Sequence, residues 1–339
     1  MRMRAIGSAK TSTDLVLISL RSPMSNASTI LILDNFAEIY AAALRERFPQ
    51  LHLLLARKVG EIAFDVAQAE VLIAFGIAIN DELMRKATGL KWIQSLATGV
   101  DHFLNSPYLR AETLLTSARG IHGNAMRETV AFLMLSLARE IPVLVRNQLA
   151  HRWERRNWPL LAGKTALIVG VGVSSTAVAS LLKALGMRVI GASRTPRAVE
   201  GFDRVEHTAK LADLTREADY LVNILPSNSE NRGLLGASVF AAMKKSAYFV
   251  NVGRGDTVDE QALIAALRER RIAGAGLDVF RAHPLAADSP LWDMPNVIVC
   301  PQIGGFFREY EEYVLPIIKE NIELFLAGRY GEMRNLIAH

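Results

Sequence analysis

Two loops in the C-terminal half of the chain carry side chains able to handle a carbonyl oxygen and a proton. LDVFRAHPL (Leu277 to Leu285) is an apolar run that opens into His283 and Pro284, and VIVCPQIGG (Val297 to Gly305) opens into Gln302. A histidine near its ordinary pKa is a competent general acid. A glutamine amide cannot give up its proton, so it can only donate a hydrogen bond and polarise. If both loops border one site, the question is which of the two, if either, handles a proton.

A third stretch points to a phosphate-bearing ligand. TALIVGVGVSSTAVA reads as a strand, a turn from Gly170 through Gly172, Val173 and Ser174, and then a helix. Gly170 permits a tight turn, Gly172 lets a pyrophosphate approach the backbone, and the helix N-terminus offers N–H groups with a positive dipole end. The third glycine of the usual fingerprint is Ser175 here, small enough for helix–strand packing. About 20 residues further on, NAD binders place an acid for the ribose hydroxyls. This chain has VIGASRTPR there, with Ser193, Arg194, Thr195 and Arg197 and no carboxylate. Two guanidiniums and two hydroxyls suit a 2′-phosphate, so NADP is the expected cofactor in preference to NAD.

These groups need a scaffold, and the pattern around them supplies one. From Thr29, short apolar runs (TILIL, LHLLLA, EVLIAF, LKWIQS) alternate with helical stretches, and a second alternating series begins at Lys164. Strands alternating with helices imply open parallel sheets. The expectation is α/β, with two doubly wound parallel-sheet domains: a substrate domain of flavodoxin-like type and a dinucleotide-binding domain. A helical segment from about Asn124 to Gln148, with Pro142 as a kink, joins them. The C-terminal helical tail has no sheet of its own and is expected to return to the first domain. The expected division is 28–138 with 307–339 for the substrate domain and 139–306 for the dinucleotide domain.

Composition sets outer limits. Half of the 339 residues are apolar and 22% are charged, ordinary for a globular protein with a sizeable core. No apolar run approaches a membrane span, so no membrane partner is expected. The formal charge of +5 favours anionic small molecules, but the basic cluster HRWERRNW (His151 to Trp158) comes with no nucleic-acid motif. It reads as a solvated hinge surface. No cluster has metal-ligand spacing, so no metal is expected. One cysteine, Cys300, excludes an intrachain disulfide, fits a reducing cytoplasmic setting, and reads as a small buried apolar residue. Residues 1–27, with a single acid at Asp14, read as an extension: a transit peptide, an upstream start before Met24, or disorder, with the last two preferred.

Taken together, the motifs resemble those of the D-isomer-specific 2-hydroxyacid dehydrogenases, and among them the glyoxylate/hydroxypyruvate reductase-like members, over roughly residues 29 to 335. SLATGVDHF resembles the family's substrate-carboxylate loop, in which the backbone of Thr98, Gly99 and Val100 receives the anion. NILPSNSENRGLL resembles the segment whose Pro226 shapes the pocket wall, and NVGRGDTVDEQAL carries the family arginine, Arg254. A planar cation can hold a 2-oxo acid's carboxylate and polarise its ketone. The resemblance places Asp278 of AGAGLDVF at the nicotinamide end, and adds Leu225, Asn231, Val252, Gly253 and Gly304 as cofactor contacts. It also implies a homodimer formed through the cofactor domains, and small 2-oxo acids as substrates.

The chain departs from the family at two positions. Relatives usually have Glu where His283 stands and His where Gln302 stands. Three explanations compete: redistributed roles, with His283 as acid; slow turnover on an intact binding site; or a silent dinucleotide sensor. The first is the expectation.

Overall fold

The computed structural model describes residues 28–339, and the expected N-terminal extension lies outside them. The apolar runs form strands because helices cover both faces of each sheet. Strands β1 (Thr29–Leu33), β2 (His52–Ala56), β3 (Val71–Ala74), β4 (Trp92–Ser95) and β5 (Leu114–Thr116) are parallel and lie in the order 2-1-3-4-5. That is the flavodoxin-like order, whose reversal between β1 and β3 opens a crevice at the strands' carboxyl ends. β3 and β4 are buried along their whole length, including Trp92 and Ile93. Each such side chain contributes roughly 1.5–3 kcal/mol through burial.

The second sheet comprises β6 (Thr165–Val169), β7 (Arg188–Ser193), β8 (Arg204–His207), β9 (Tyr220–Asn223), β10 (Tyr248–Asn251), β11 (Gly274–Leu277) and β12 (Val297–Val299). All neighbours are parallel, in the order 12-11-10-9-6-7-8, so the direction of winding reverses between β6 and β9. This is a Rossmann-type sheet with one added strand. The glycine turn after β6 therefore opens at the switch point.

The chain's end returns to the first sheet. Val314, Ile317, Ile318, Ile322 and Phe325 of the helix Tyr310–Leu326 pack with Ile30, Tyr40 and Trp92. A final strand, β13 (Leu336–Ile337), pairs antiparallel with β5. Asn321 fixes the docking, donating from Nδ2 to Gln94 Oε1 at 2.9 Å and to Arg334 O at 3.1 Å.

Two sequence expectations need correction here. The long connecting helix is two helices, Gly123–Ala138 and Ile141–Leu149. The break falls at Glu140, in the left-handed region at φ 49°, and Pro142 sits in the first turn of the second helix, where its missing N–H costs nothing. The division at residue 138 also misplaces the first of these helices. Met126, Val130, Leu133, Met134 and Leu137 pack with Ala166, Ile168 and Val178 of the second sheet's layer, so this helix shares the core of the dinucleotide domain. Its apolar residues fix that allegiance, and the crossing between domains comes before it. Among the described residues no helix is long and apolar enough to cross a membrane, and no group of three or more His, Cys, Asp and Glu is placed to hold a metal.

Candidate active site

The turn after β6 has the shape a dinucleotide phosphate requires. Gly170 has φ 101°, and a Cβ there would lie 3.2 Å from the backbone of Ile224. Gly172 caps the helix Val173–Ala184, and a Cβ on it would meet nothing within 4 Å, so the approach to its backbone is open. Ser175 is buried; its hydroxyl accepts from Gly172 N at 2.6 Å and donates to Gly172 O at 2.8 Å. A serine thus fills the third fingerprint position and also ties the turn together. Val173 and Ser174 lie on the open side of this first turn. These residues fit a dinucleotide pyrophosphate.

At the end of β7, Ser193 Oγ accepts from Thr195 N at 3.2 Å, and Thr195, Arg194 and Arg197 are exposed. The Arg194 guanidinium is in ion-pair contact with the Glu230 carboxylate, which arrives from the facing loop. The sequence reading missed this acid. On the same loop Asn231 is buried, with Nδ2 donating to Pro226 O at 2.8 Å and Oδ1 without a hydrogen-bond partner among the described residues.

Arg254 stands on a buried polar network. Asn223, Asn251 and Thr257 are all buried. Asn223 Nδ2 donates to Asn251 Oδ1 and to Thr257 Oγ1, both at 2.8 Å, and Leu225 N donates to Asn223 Oδ1 at 3.2 Å. Asn251 Oδ1 also accepts from Gly253 N at 3.2 Å, and Thr257 Oγ1 donates to Arg254 O at 2.7 Å. Val252 N reaches Asn223 O at 3.1 Å. The loops after β9 and β10 are so close that a Cβ on Gly253 would lie 2.7 Å from Leu225 O. Losing one member would strand buried donors and acceptors at about 1–3 kcal/mol each.

From this base the guanidinium crosses to the first domain. Arg254 Nη1 donates to Gly253 O at 2.9 Å, and Nε lies 3.6 Å from Asp101 Oδ2. A Cβ on Gly99 would sit 2.1 Å from Arg254 Nη2, so the cation rests against the backbone of the Thr98–Val100 loop. The side chain remains 37% exposed, open to a ligand. Arg254 and the Thr98, Gly99 and Val100 loop are brought together across the cleft.

A histidine that the sequence reading passed over completes this end. His122 is 8% exposed, with Nδ1 2.8 Å from Thr98 Oγ1 and Nε2 3.1 Å from Tyr310 OH. The Tyr310 hydroxyl donates to Leu96 O, because a carbonyl can only accept. Its oxygen is then free to accept from His122 Nε2–H. That leaves Nδ1 bare, and the Thr98 hydroxyl donates to it. Burial first, and the Arg254 charge second, push the imidazole down to about 4, so the ring is neutral at ordinary pH.

The loops of the opening motifs are less enclosed. Asp278 is buried and accepts from Ile303 N at 2.8 Å and Gly304 N at 2.9 Å, binding the end of β11 to the Gln302 loop. Burial raises its carboxyl pKa, and the two N–H bonds oppose the rise. Gln302 is half-buried and sits in the left-handed region at φ 57°. His283 is exposed, and no hydrogen bond joins it to Gln302 among the described residues. Cys300 is buried, and burial pushes its thiol up to about 11, out of reach of nucleophilic chemistry.

Comparison with known proteins places this arrangement. The profile of the D-isomer specific 2-hydroxyacid dehydrogenase NAD-binding domain matches residues 131–304. The chain is 36% identical over 268 residues to glyoxylate/hydroxypyruvate reductase B of Klebsiella pneumoniae subsp. pneumoniae, covering 77% of this chain and 82% of that protein. A D-isomer specific 2-hydroxyacid dehydrogenase family protein of Aeromonas salmonicida superposes with a TM-score of 0.85 at 34% identity, over 91% of this chain and 98% of the other. A D-isomer specific 2-hydroxyacid dehydrogenase of Xanthobacter autotrophicus Py2, solved with NADPH and MES, superposes with a TM-score of 0.80 at 30% identity, over the same 91% and 98%.

Proposed function

This chain belongs to the D-isomer specific 2-hydroxyacid dehydrogenase family, and we propose that within it the protein is an NADPH-dependent reductase of small 2-oxo acids of the glyoxylate and hydroxypyruvate kind. It is an NAD(P)-dependent 2-hydroxyacid dehydrogenase. The finer reading rests on one observation above others: a half-exposed guanidinium, on a base of buried hydrogen bonds, facing a glycine-bearing loop in the other domain.

The substrate carboxylate would sit at the backbone of Thr98, Gly99 and Val100 and share the Arg254 guanidinium, displacing Asp101 from it. The same planar cation would reach the ketone oxygen, and a preorganised charge aimed at a developing alkoxide is worth several kcal/mol in a closed site. Gln302 would donate a hydrogen bond to that oxygen, and His283 would deliver the proton. Gly170, Gly172, Val173 and Ser174 would hold the pyrophosphate. Ser193, Arg194, Thr195 and Arg197 would hold the 2′-phosphate, with Arg194 exchanging Glu230 for it. Leu225, Pro226, Asn231, Val252, Gly253, Asp278 and Gly304 would line the nicotinamide end. NADPH supplies the hydride, so a 2-oxo acid, the hydride and one proton give a 2-hydroxy acid. The choice of NADP over NAD is supported by the arginines at the end of β7 and by the NADPH held in the Xanthobacter relative.

The exposure of His283 keeps a second reading in view, a binding-competent protein with weak turnover. Purified protein mixed with NADPH and a panel of 2-oxo acids separates the two. Loss of the reduced nicotinamide absorbance is expected; tight NADPH binding without turnover across the panel would favour the weak or silent protein. A homodimer belongs to the same proposal. Phe132, Leu135, Val145 and Leu149 of the helices Gly123–Ala138 and Ile141–Leu149 are exposed apolar residues, and Trp153, which follows them in the chain, is 94% exposed. A second copy covering them would remove a large apolar area from water. A single buried thiol and a nicotinamide reductase suit the cytoplasm.

A further inference from the structure

We propose that His122 is a positioning residue that takes up a proton as an anionic substrate enters the Thr98–Val100 loop, turning the Thr98 hydroxyl from the ring toward the anion. The inference rests on the 2-oxo acid reading and adds a proton-linked carboxylate sensor to it.

The geometry carries the first half of the argument. Tyr310 takes the Nε2–H of the neutral ring, so the one unprotonated nitrogen, Nδ1, faces Thr98 Oγ1 at 2.8 Å. In this state the Thr98 proton points at the ring, and the hydroxyl has only lone pairs to offer any other partner. A carboxylate arriving there meets an acceptor. Protonation at Nδ1 reverses the bond. The ring N–H then donates to Oγ1, and the Thr98 proton is free to bind a carboxylate oxygen in a charge-assisted hydrogen bond.

Electrostatics supply the second half. His122 Nδ1 faces Thr98, which precedes Gly99, the position against which the Arg254 guanidinium rests beside Asp101; behind Nε2 stands Tyr310, which feels the Asp34 and Glu311 carboxylates. Arg254 is the charge that opposes protonation of the ring, second to burial itself. A substrate carboxylate on Arg254 neutralises that charge and adds a negative one beside Thr98, so imidazolium becomes favourable only in the complex. Anion and proton then bind with positive coupling, and the coupling is reciprocal. The free ring titrates at about 4. Above that pH the free site lacks the proton and the complex holds it, so affinity falls roughly tenfold per pH unit until the complex's own pKa is reached.

The test uses oxamate, a non-reacting 2-oxo acid analogue, titrated calorimetrically into the NADPH-saturated protein between about pH 5.5 and 7.5, in buffers of different ionisation enthalpy. The buffer dependence counts protons. We expect proton uptake in the wild type and in Thr98→Ser that grows toward one per oxamate as the pH falls to about 5.5, and close to none in His122→Asn and Thr98→Val. The two Thr98 variants leave the buried ring in place and carry the test if His122→Asn fails to fold. A merely structural role for His122 would weaken oxamate without changing the proton count. The proposal is overturned if the wild type takes up no proton, or if His122→Asn takes up as many, which would send the proton to a group such as Asp101. NADPH binding with no oxamate binding would sink the 2-oxo acid reading itself, and this inference with it.

Discussion

The floor and the rim of the cleft are built differently. On the floor, Arg254 is tied through its carbonyl to Thr257, which is tied to Asn223 and through it to Asn251, and the loop it faces is tied through Thr98 to His122 and through that ring to Tyr310. On the rim, His283 is exposed, Gln302 sits in a left-handed backbone conformation, and Arg194 is exposed beside an equally exposed Glu230. Groups that must meet a fixed charge from another domain are held by buried hydrogen bonds from several elements. Groups that must trade protons with solvent, or release a ligand, are left near water. In the proposed reading the floor carries the binding chemistry, and the rim carries the proton donor and the 2′-phosphate contact.

Arg254→Leu tests the floor with the largest effect. Removing one preorganised oxyanion donor typically costs 10²–10³-fold, and this residue would also hold the carboxylate, so kcat/KM for glyoxylate should fall by about 10³ or more. Arg254→Lys should recover little, because an ammonium lacks the planar fork. Steady-state kinetics with NADPH binding as a control decide it; a loss under tenfold would remove Arg254 from the site.

The floor also predicts a pH dependence of stability. His122 titrates at about 4 in the fold against 6.5 as an ordinary histidine. Between those values the unfolded chain holds the extra proton, so stability is full above about pH 6.5 and declines as pH falls toward 4, by about 3 kcal/mol in total. Asp34 and Asp278 have raised carboxyl pKa values and slope the other way, so the informative quantity is wild type minus His122→Asn. Urea midpoints at several pH values should converge for the two proteins as pH falls. Parallel curves would show that the fold does not lower the ring's pKa.

How much of this was legible in the sequence depends on reach. Buried parallel strands such as VLIA and YFVN announce themselves because both faces are covered and every residue is apolar or nearly so. The glycine turn is legible because backbone conformation dictates residue type locally. β8 was missed because an edge strand reading RVEH has no apolar run. The helix Gly123–Ala138 was assigned to the wrong domain because its pattern shows that it packs, not against which sheet. His122 was missed because its partners lie 24 and 188 residues away, at Thr98 and Tyr310. Glu230 was missed because no spacing rule connects one strand-end loop to the acid that faces it.

The rim offers a way to break the contrast. If His283 is the acid, His283→Ala should lower kcat by roughly 10²-fold with little change in KM, the usual worth of general acid help. Gln302→His should then bring no gain. The reverse pair of results, an indifferent His283→Ala and a sharp rise with Gln302→His, would mean that the rim has lost its proton donor and that the floor alone is functional.

The smallest effect lies at the far end of the rim, where Arg194 contacts Glu230. Both side chains are more than half exposed, so the pair itself stabilises the fold by only about 0.2–1 kcal/mol. Its importance is competitive. If Arg194 receives a 2′-phosphate as proposed, the phosphate would displace the carboxylate and would also feel the acid's repulsion. Glu230→Gln removes the competitor and keeps the shape, so NADPH should bind about two- to fivefold tighter, the factor that corresponds to such an exposed pair. NADH, which has no 2′-phosphate, should bind as before, and the melting temperature without cofactor should hardly move. Titrating both coenzymes by fluorescence reads the difference directly. Equal tightening of NADH and NADPH would show that Glu230 acts through general charge, and tightening of neither would separate Arg194 from the phosphate site.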